Sequence, residues 1–300
     1  MPVQFPPELT KASLTKNKKM VAALGSPSLS RDIGELESIF SGSYFKAADP
    51  NKLGTETLDP VKFVRNRDGF KKVLDTQRAK LEKLATNVEN DLKAIKINLA
   101  KAKKPDKKVI AFATTLETAA HKFAFALKPV ATGELIYLIE KAYVQHLKAS
   151  QNYGMVEMTV KGGAARHDKL QTEIKAIRAA GTVDAMHDMW KSGSSTARLF
   201  YIDMTSTWDQ AILPAFPELA KKSKISGKAN DTLVKRLWIA DVANEAQSKA
   251  SEKVRSLIKG PISEQDAIDA MLDQYESSVK AMYAVFGEIQ AVWRELSKFN

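Results

Sequence analysis

The chain is expected to be all-α, an elongated antiparallel helical bundle with coiled-coil-like long helices. Three observations carry that expectation. Residues 70–99 and 268–296 place apolar or tolerated side chains at steps of three and four, alternating apart from one slip at Val88–Leu92, the spacing of one helical face. Pro and Gly crowd into residues 1–59 and leave 70–104 uninterrupted. Alternation of period two is confined to "MVEMTV" (155–160), and one isolated strand has no partner to pair with.

Residues 1–59 hold Pro2, Pro6, Pro7, Gly25, Pro27, Gly34, Gly42, Pro50 and Gly54. Short helices are expected at 8–24 and 31–41, the second capped by Ser30 with Asp32 and Glu35 in its first turn. This section reads as an N-terminal arm or peripheral layer.

A long helix is expected from Asp59, an N-cap, and Pro60, suited to the first helical position. Its stripe is Phe70, Leu74, Gln77, Leu81, Leu84, Val88, Leu92, Ile95 and Leu99, and Pro105 is expected to end it. Asp106 is placed to cap the next helix, with Val109, Ala113, Leu116, Ala120, Phe123 and Leu127 on its buried face. After "KPVATGE", a third helix carries Leu135, Ile139, Ala142 and His146. Together, residues 60–150 form a long helical hairpin. The Gly-containing stretch 150–165 is expected to be a loop and the internal boundary. A second helical section, 164–300, follows: helices at 164–180, 182–191, 195–213 and 231–259, then a C-terminal helix capped by Ser263. That last helix aligns Ile268, Leu272, Tyr275, Val279, Met282, Phe286, Ile289, Trp293 and Leu296.

Composition narrows function by exclusion. The chain has no Cys, which removes disulfides, thiolate nucleophiles and Cys-ligated metals. No phosphate-binding glycine loop, nucleophile elbow or H-E-x-x-H motif occurs. "DAMH" (Asp184 to His187) is a single carboxylate-x-x-His pair, whereas a di-metal bundle needs two facing copies. His146 and His167 fall on apolar stripes and read as core histidines, and His121 lies one turn after Glu117. Aromatics gather between Trp190 and Trp238. Phe200, Met204 and Trp208 share a helix face there, so core packing is the preferred account over a ligand pocket. No catalytic set, metal or cofactor is expected. The N-terminus lacks the apolar core of a signal peptide, and the uncharged runs are too short to span a bilayer, so a soluble cytoplasmic protein is expected.

Charge supplies the one candidate site. The formal net charge is +11, and residues 61–108 hold 15 Lys and Arg against 6 Asp and Glu, while the rest of the chain is close to neutral. Within "KAIKINLAKAKKPDKK" (93–108) the cations are Lys93, Lys96, Lys101, Lys103, Lys104, Lys107 and Lys108, with Asp106 the only acid. Lys101, Lys103 and Lys104 are expected in a last helical turn, where the helix dipole favours cations. With neither Arg nor aromatics interleaved, nucleic-acid binding here would be weak and salt-sensitive.

The expected function is a non-enzymatic structural or protein-interaction component of a larger assembly, homo-oligomeric or bound to a protein partner. Two alternatives belong to other classes. One is a membrane-active helical protein that inserts 109–131, against which Glu117, His121 and Lys122 argue. The other is a nucleic-acid-associated protein that uses the 61–108 face.

Overall fold

The structure, a computed structural model, describes residues 3–46, 58–182, 196–225, 228–229 and 264–300. The helices expected at 182–191 and 231–259, the Asp184–His187 pair, Trp190, Trp238 and the Ser263 cap lie outside the described residues. Among the described residues every regular element is helical, so the protein is all-α. The chain divides into two compact units. One comprises Met1–Glu56 with Phe63–Tyr143, the other Thr57–Lys62 with Val144–Asn300.

In the first unit a 3-10 turn at Pro7–Leu9 precedes α1 (Lys11–Lys16), α2 (Lys18–Ala23) and α3 (Pro27–Ser41). The Thr10 hydroxyl accepts the Ser13 N–H at 3.2 Å and so caps α1. α3 starts four residues before the sequence suggests, because Pro27 occupies its first turn, where a missing N–H costs nothing. Ser30 therefore lies inside the helix and does not cap it. Leu9, Leu29, Ile33, Leu36 and Phe40 are all within the core of this unit. Phe5, Phe40 and Phe123 form a trio with ring centroids 5.1–5.4 Å apart, edge-on in two of the three pairs.

Three long helices follow: α4 (Pro60–Ala100), α5 (Lys107–Ala126) and α6 (Pro129–Ala149). At about 1.5 Å per residue, α4 is roughly 60 Å long. Its stripe is as expected: Leu74, Leu81, Val88 and Leu92 are fully buried, and Phe70, Leu84, Ile95 and Leu99 pack at the edge. Gln77, the polar member, accepts the Tyr44 N–H at 3.1 Å. On α5 all six anticipated positions, from Val109 to Leu127, are buried.

α5 and α6 run one after the other along α4, both antiparallel to it. Glu117 meets Lys96 and His121 meets Glu89 in the upper part. Glu140 meets Arg67, and Tyr143 stacks on Phe63 with centroids 3.6 Å apart, in the lower part. On α6 the buried stripe is Ile139, Ala142, Tyr143 and Leu147. His146, expected in that stripe, is exposed, because four-residue steps from Ile139 lead through Tyr143 to Leu147 and leave it to one side.

The second unit corrects the expected loop at 150–165. α7 (Gln151–Ala180) is one continuous helix. The Ser150 hydroxyl caps it by accepting the Tyr153 N–H at 3.2 Å. Tyr153, Val156, Thr159, Gly163, Leu170 and Ile174 recur at helical spacing on its buried face. Beta-branched residues and glycines lower helix propensity locally, but this packing outweighs that cost.

α8 covers residues 196–206 and widens into a π turn at Thr207–Ile212, then a last α turn at Leu213–Ala215. Pro214 accounts for the widening. It offers no N–H, and its ring presses on the carbonyl one turn earlier, so the Leu213 N–H reaches back five residues to Trp208 O. α9 (Pro217–Ala220) and α10 (Glu264–Leu296) complete the unit.

α7 lies antiparallel to α8 and to α10. Thr159 bonds Thr207 at 2.7 Å, and Arg166 pairs with Asp203. Tyr153 bonds Asn300 at 2.8 Å, His167 stacks on Tyr283, and Arg178 bonds Asp273 at 2.7 Å and Glu276 at 3.1 Å. Leu272, Tyr275, Val279, Met282, Phe286, Ile289 and Leu296 of α10 are buried as the periodicity requires. Phe200, Met204 and Trp208 are fully buried, the core role preferred from sequence.

Candidate partner-contact surface

The basic segment lies where α4 ends, turns and returns as α5. Its two halves do different things. Asp106 shapes the return: its Oδ1 accepts the N–H groups of Lys108 (2.9 Å) and Val109 (3.3 Å), so the only acid of the segment is committed to capping α5.

Lys93 and Lys96 are used internally. Lys93 Nζ donates to Glu89 Oε1 at 2.5 Å, one turn away on the same helix. Lys96 Nζ crosses to α5 and donates to Glu117 Oε2, also at 2.5 Å. His121 Nδ1 lies 3.2 Å from Glu89 Oε1, so this histidine faces α4 and not Glu117, the neighbour suggested by sequence spacing. Glu89 is buried and accepts from both partners. Burial alone pushes its carboxyl up, but the hydrogen bonds and charges of Lys93 and His121 outweigh that and hold it below its ordinary value. The Lys93 ammonium is held above its usual range by the bond to Glu89.

The other five cations stand apart. α4 ends at Ala100, so Lys101, Lys103 and Lys104 lie in the turn beyond it, and no basic residue occupies the last turn of α4. The expected place of these three lysines in a last helical turn is thus corrected: they follow the helix end. Lys101, Lys103, Lys104, Lys107 and Lys108 are all exposed, and among the described residues none forms an ion pair. Ile97, one turn before the end of α4, is 52% exposed beside them, an apolar contribution that charge counting missed. The chemistry on offer is a patch of hydrated point charges with one aliphatic contact.

Elsewhere, His167 is half-buried between Tyr283 and Phe200. Among the described residues, no group of three or more His, Asp or Glu is arranged to hold a metal ion, and no helix is long and apolar enough to cross a membrane. No protein-family model, curated protein or solved structure matches the chain.

Proposed function

We propose that this chain is a non-enzymatic interaction component of a larger assembly, and that the Lys101–Lys108 turn docks on an acidic protein surface. The observation that carries this reading is the split among the seven lysines. Lys93 and Lys96 neutralise Glu89 and Glu117, whereas the other five, three in the turn and two opening α5, are exposed and without a carboxylate partner among the described residues. Five like charges between Lys101 and Lys108 repel each other, and an acidic partner relieves that repulsion while speeding encounter. Within 93–108 no Arg or aromatic side chain is interleaved, so the forked contacts and base stacking that strengthen nucleic-acid binding are missing.

The test is titration of the whole chain with fluorescent poly-glutamate and with single-stranded DNA of matched length and charge, at low and high salt. Poly-glutamate is expected to bind more tightly than DNA. Replacing Lys101, Lys103, Lys104, Lys107 and Lys108 by Gln is expected to weaken that binding about tenfold or more. Equal binding by the variant, or preference for DNA, overturns the reading.

A further inference from the structure

We propose that the cleft between the N-terminal segment 3–9 and the outer face of α5 binds a short extended peptide by its two charged ends. The cleft shares no residue with the basic segment 101–108, so the two readings fail separately.

The cleft has a volume of about 510 Å³, within the usual range for small-ligand sites. Its N-terminal wall is held stiff. Phe5 packs against Phe40 and Phe123, Pro6 and Pro7 fix the next two φ angles, and Leu9 is fully buried. A ligand therefore does not have to order this wall, which lowers the free-energy cost of binding. The floor is the α5 face that carries Thr114, Thr118 and Lys122, about 12 Å long at 1.5 Å per residue. An extended tripeptide is of matching length, about 10 Å. Ala119, within this floor, is small and buried, so a peptide backbone can approach closely there.

The polar groups of the cleft select the ligand. Glu8 on the wall and Lys122 on the floor have no ion pair among the described residues, and the side chains of Gln4 and Thr118 have no hydrogen bond there. One carboxylate and one ammonium left open match a ligand that carries one charge of each sign. Lys122 receives a terminal carboxylate, and Glu8 receives a terminal ammonium. Thr114 and Thr115 donate their hydroxyl protons to the carbonyls of Ile110 and Ala111, at 3.0 and 3.1 Å, so their oxygens are left as acceptors. The Thr118 hydroxyl and the Gln4 amide both donate and accept. The N–H and C=O groups of a peptide meet this mixture. The backbone of Gln4 and Phe5 adds to it, since neither residue forms a backbone hydrogen bond among the described residues and both lie outside any helix. A phosphate would set its negative charge against Glu8, and a neutral sugar would leave both Glu8 and Lys122 without a counterpart.

The experiment titrates the full chain with trialanine and follows binding by calorimetry. Trialanine is expected to bind with a Kd below about 1 mM. N-acetyl-trialanine, which lacks the ammonium, and trialanine amide, which lacks the carboxylate, are each expected to bind about tenfold more weakly. Glu8→Gln is expected to weaken trialanine binding by about the same factor and to leave the acetylated peptide unaffected. Lys122→Gln is expected to do the same for trialanine and to leave the amide form unaffected. This matching of each variant to one blocked end separates direct contact from a general loss of structure, and circular dichroism checks that the helices remain. Absence of trialanine binding at about 10 mM overturns the proposal. So does equal binding of the three peptides, or a variant that weakens all three alike. Trehalose binding as tightly as trialanine also overturns it and would assign the cleft to a polyol.

Discussion

Asp59 and the backbone of Glu218 are joined by a 2.8 Å hydrogen bond, so one carboxylate starts two helices that are far apart in sequence. Asp59 Oδ1 accepts the N–H groups of Val61 (2.9 Å) and Lys62 (3.1 Å) at the start of α4, while Oδ2 accepts the Glu218 N–H at the start of α9. The residue is buried, so water does not replace either set of bonds after truncation. Asp59→Ala is expected to cost about 2–4 kcal/mol, combining the loss of two caps with unsatisfied buried donors. Asp59→Asn, which keeps one acceptor oxygen, is expected to cost less than Asp59→Ala. Urea unfolding followed by tryptophan fluorescence checks this, since Trp208 and Trp293 belong to the same unit as Asp59.

Glu89 sets an acid limit on the contact between α4 and α5. Its native carboxyl is held below the ordinary 4.5 by Lys93 and His121 against the upward pull of burial. The stabilisation it gives is therefore complete above about pH 4.5 and is lost as the pH falls through the lower native value. Glu89→Gln is expected to destabilise the chain by about 1 kcal/mol at pH 7, because Lys93 is half-exposed and solvent screens part of the pair. That difference is expected to shrink towards zero in acid, measured by urea unfolding followed by circular dichroism at a series of pH values. A difference that persists undiminished below the native titration assigns the effect to packing.

Much of this architecture is legible in the sequence where a single residue type decides the outcome. Leu74, Leu81, Val88 and Leu92 declare the inner face of α4 by spacing alone, and Asp106 before a helical run declares a cap. What is not legible depends on partners distant in sequence. Gly162 and Gly163 read as a loop until Phe286 is placed against the second of them. The helix end at Ala100 leaves three lysines outside α4 although the segment up to Lys104 contains no breaker. The site shows the same division. Lys93 with Glu89 is a readable one-turn pair, but Lys96 is satisfied by Glu117, 21 residues away. Which lysines remain available thus follows from the register of α4 against α5, set by core packing and not by local pattern.

A buried pair of hydroxyls ties α7 to the π turn of α8. The hydroxyls of Thr159 and Thr207 lie 2.7 Å apart, and both residues are buried. Thr159→Val keeps the shape of the side chain and leaves the Thr207 hydroxyl without this partner, at an expected cost of about 1–2 kcal/mol. Replacing both by Val is expected to cost less than the sum of the two single changes, because no orphan remains. Urea unfolding of the two single variants and the double variant measures that coupling.

The two neighbouring glycines of α7 are expected to respond in opposite directions to the same substitution. Alanine lowers the entropy of the unfolded chain and favours a helix by about 0.5–1 kcal/mol over glycine wherever space allows. A Cβ on Gly162 meets nothing within 4 Å, so Gly162→Ala is expected to stabilise by about that amount. A Cβ on Gly163 would lie 2.3 Å from Cε2, 2.8 Å from Cδ2 and 2.9 Å from Cζ of Phe286. Phe286 is fully buried in a packed core, so the ring has little room to give way. Gly163→Ala is therefore expected to destabilise by about 1–3 kcal/mol. Combining it with Phe286→Leu is expected to recover part of the loss, since the smaller side chain vacates the contact. Thermal unfolding of the three variants separates the cases: equal stabilisation by both alanines would show that α7 and α10 are not packed at Gly163 and Phe286.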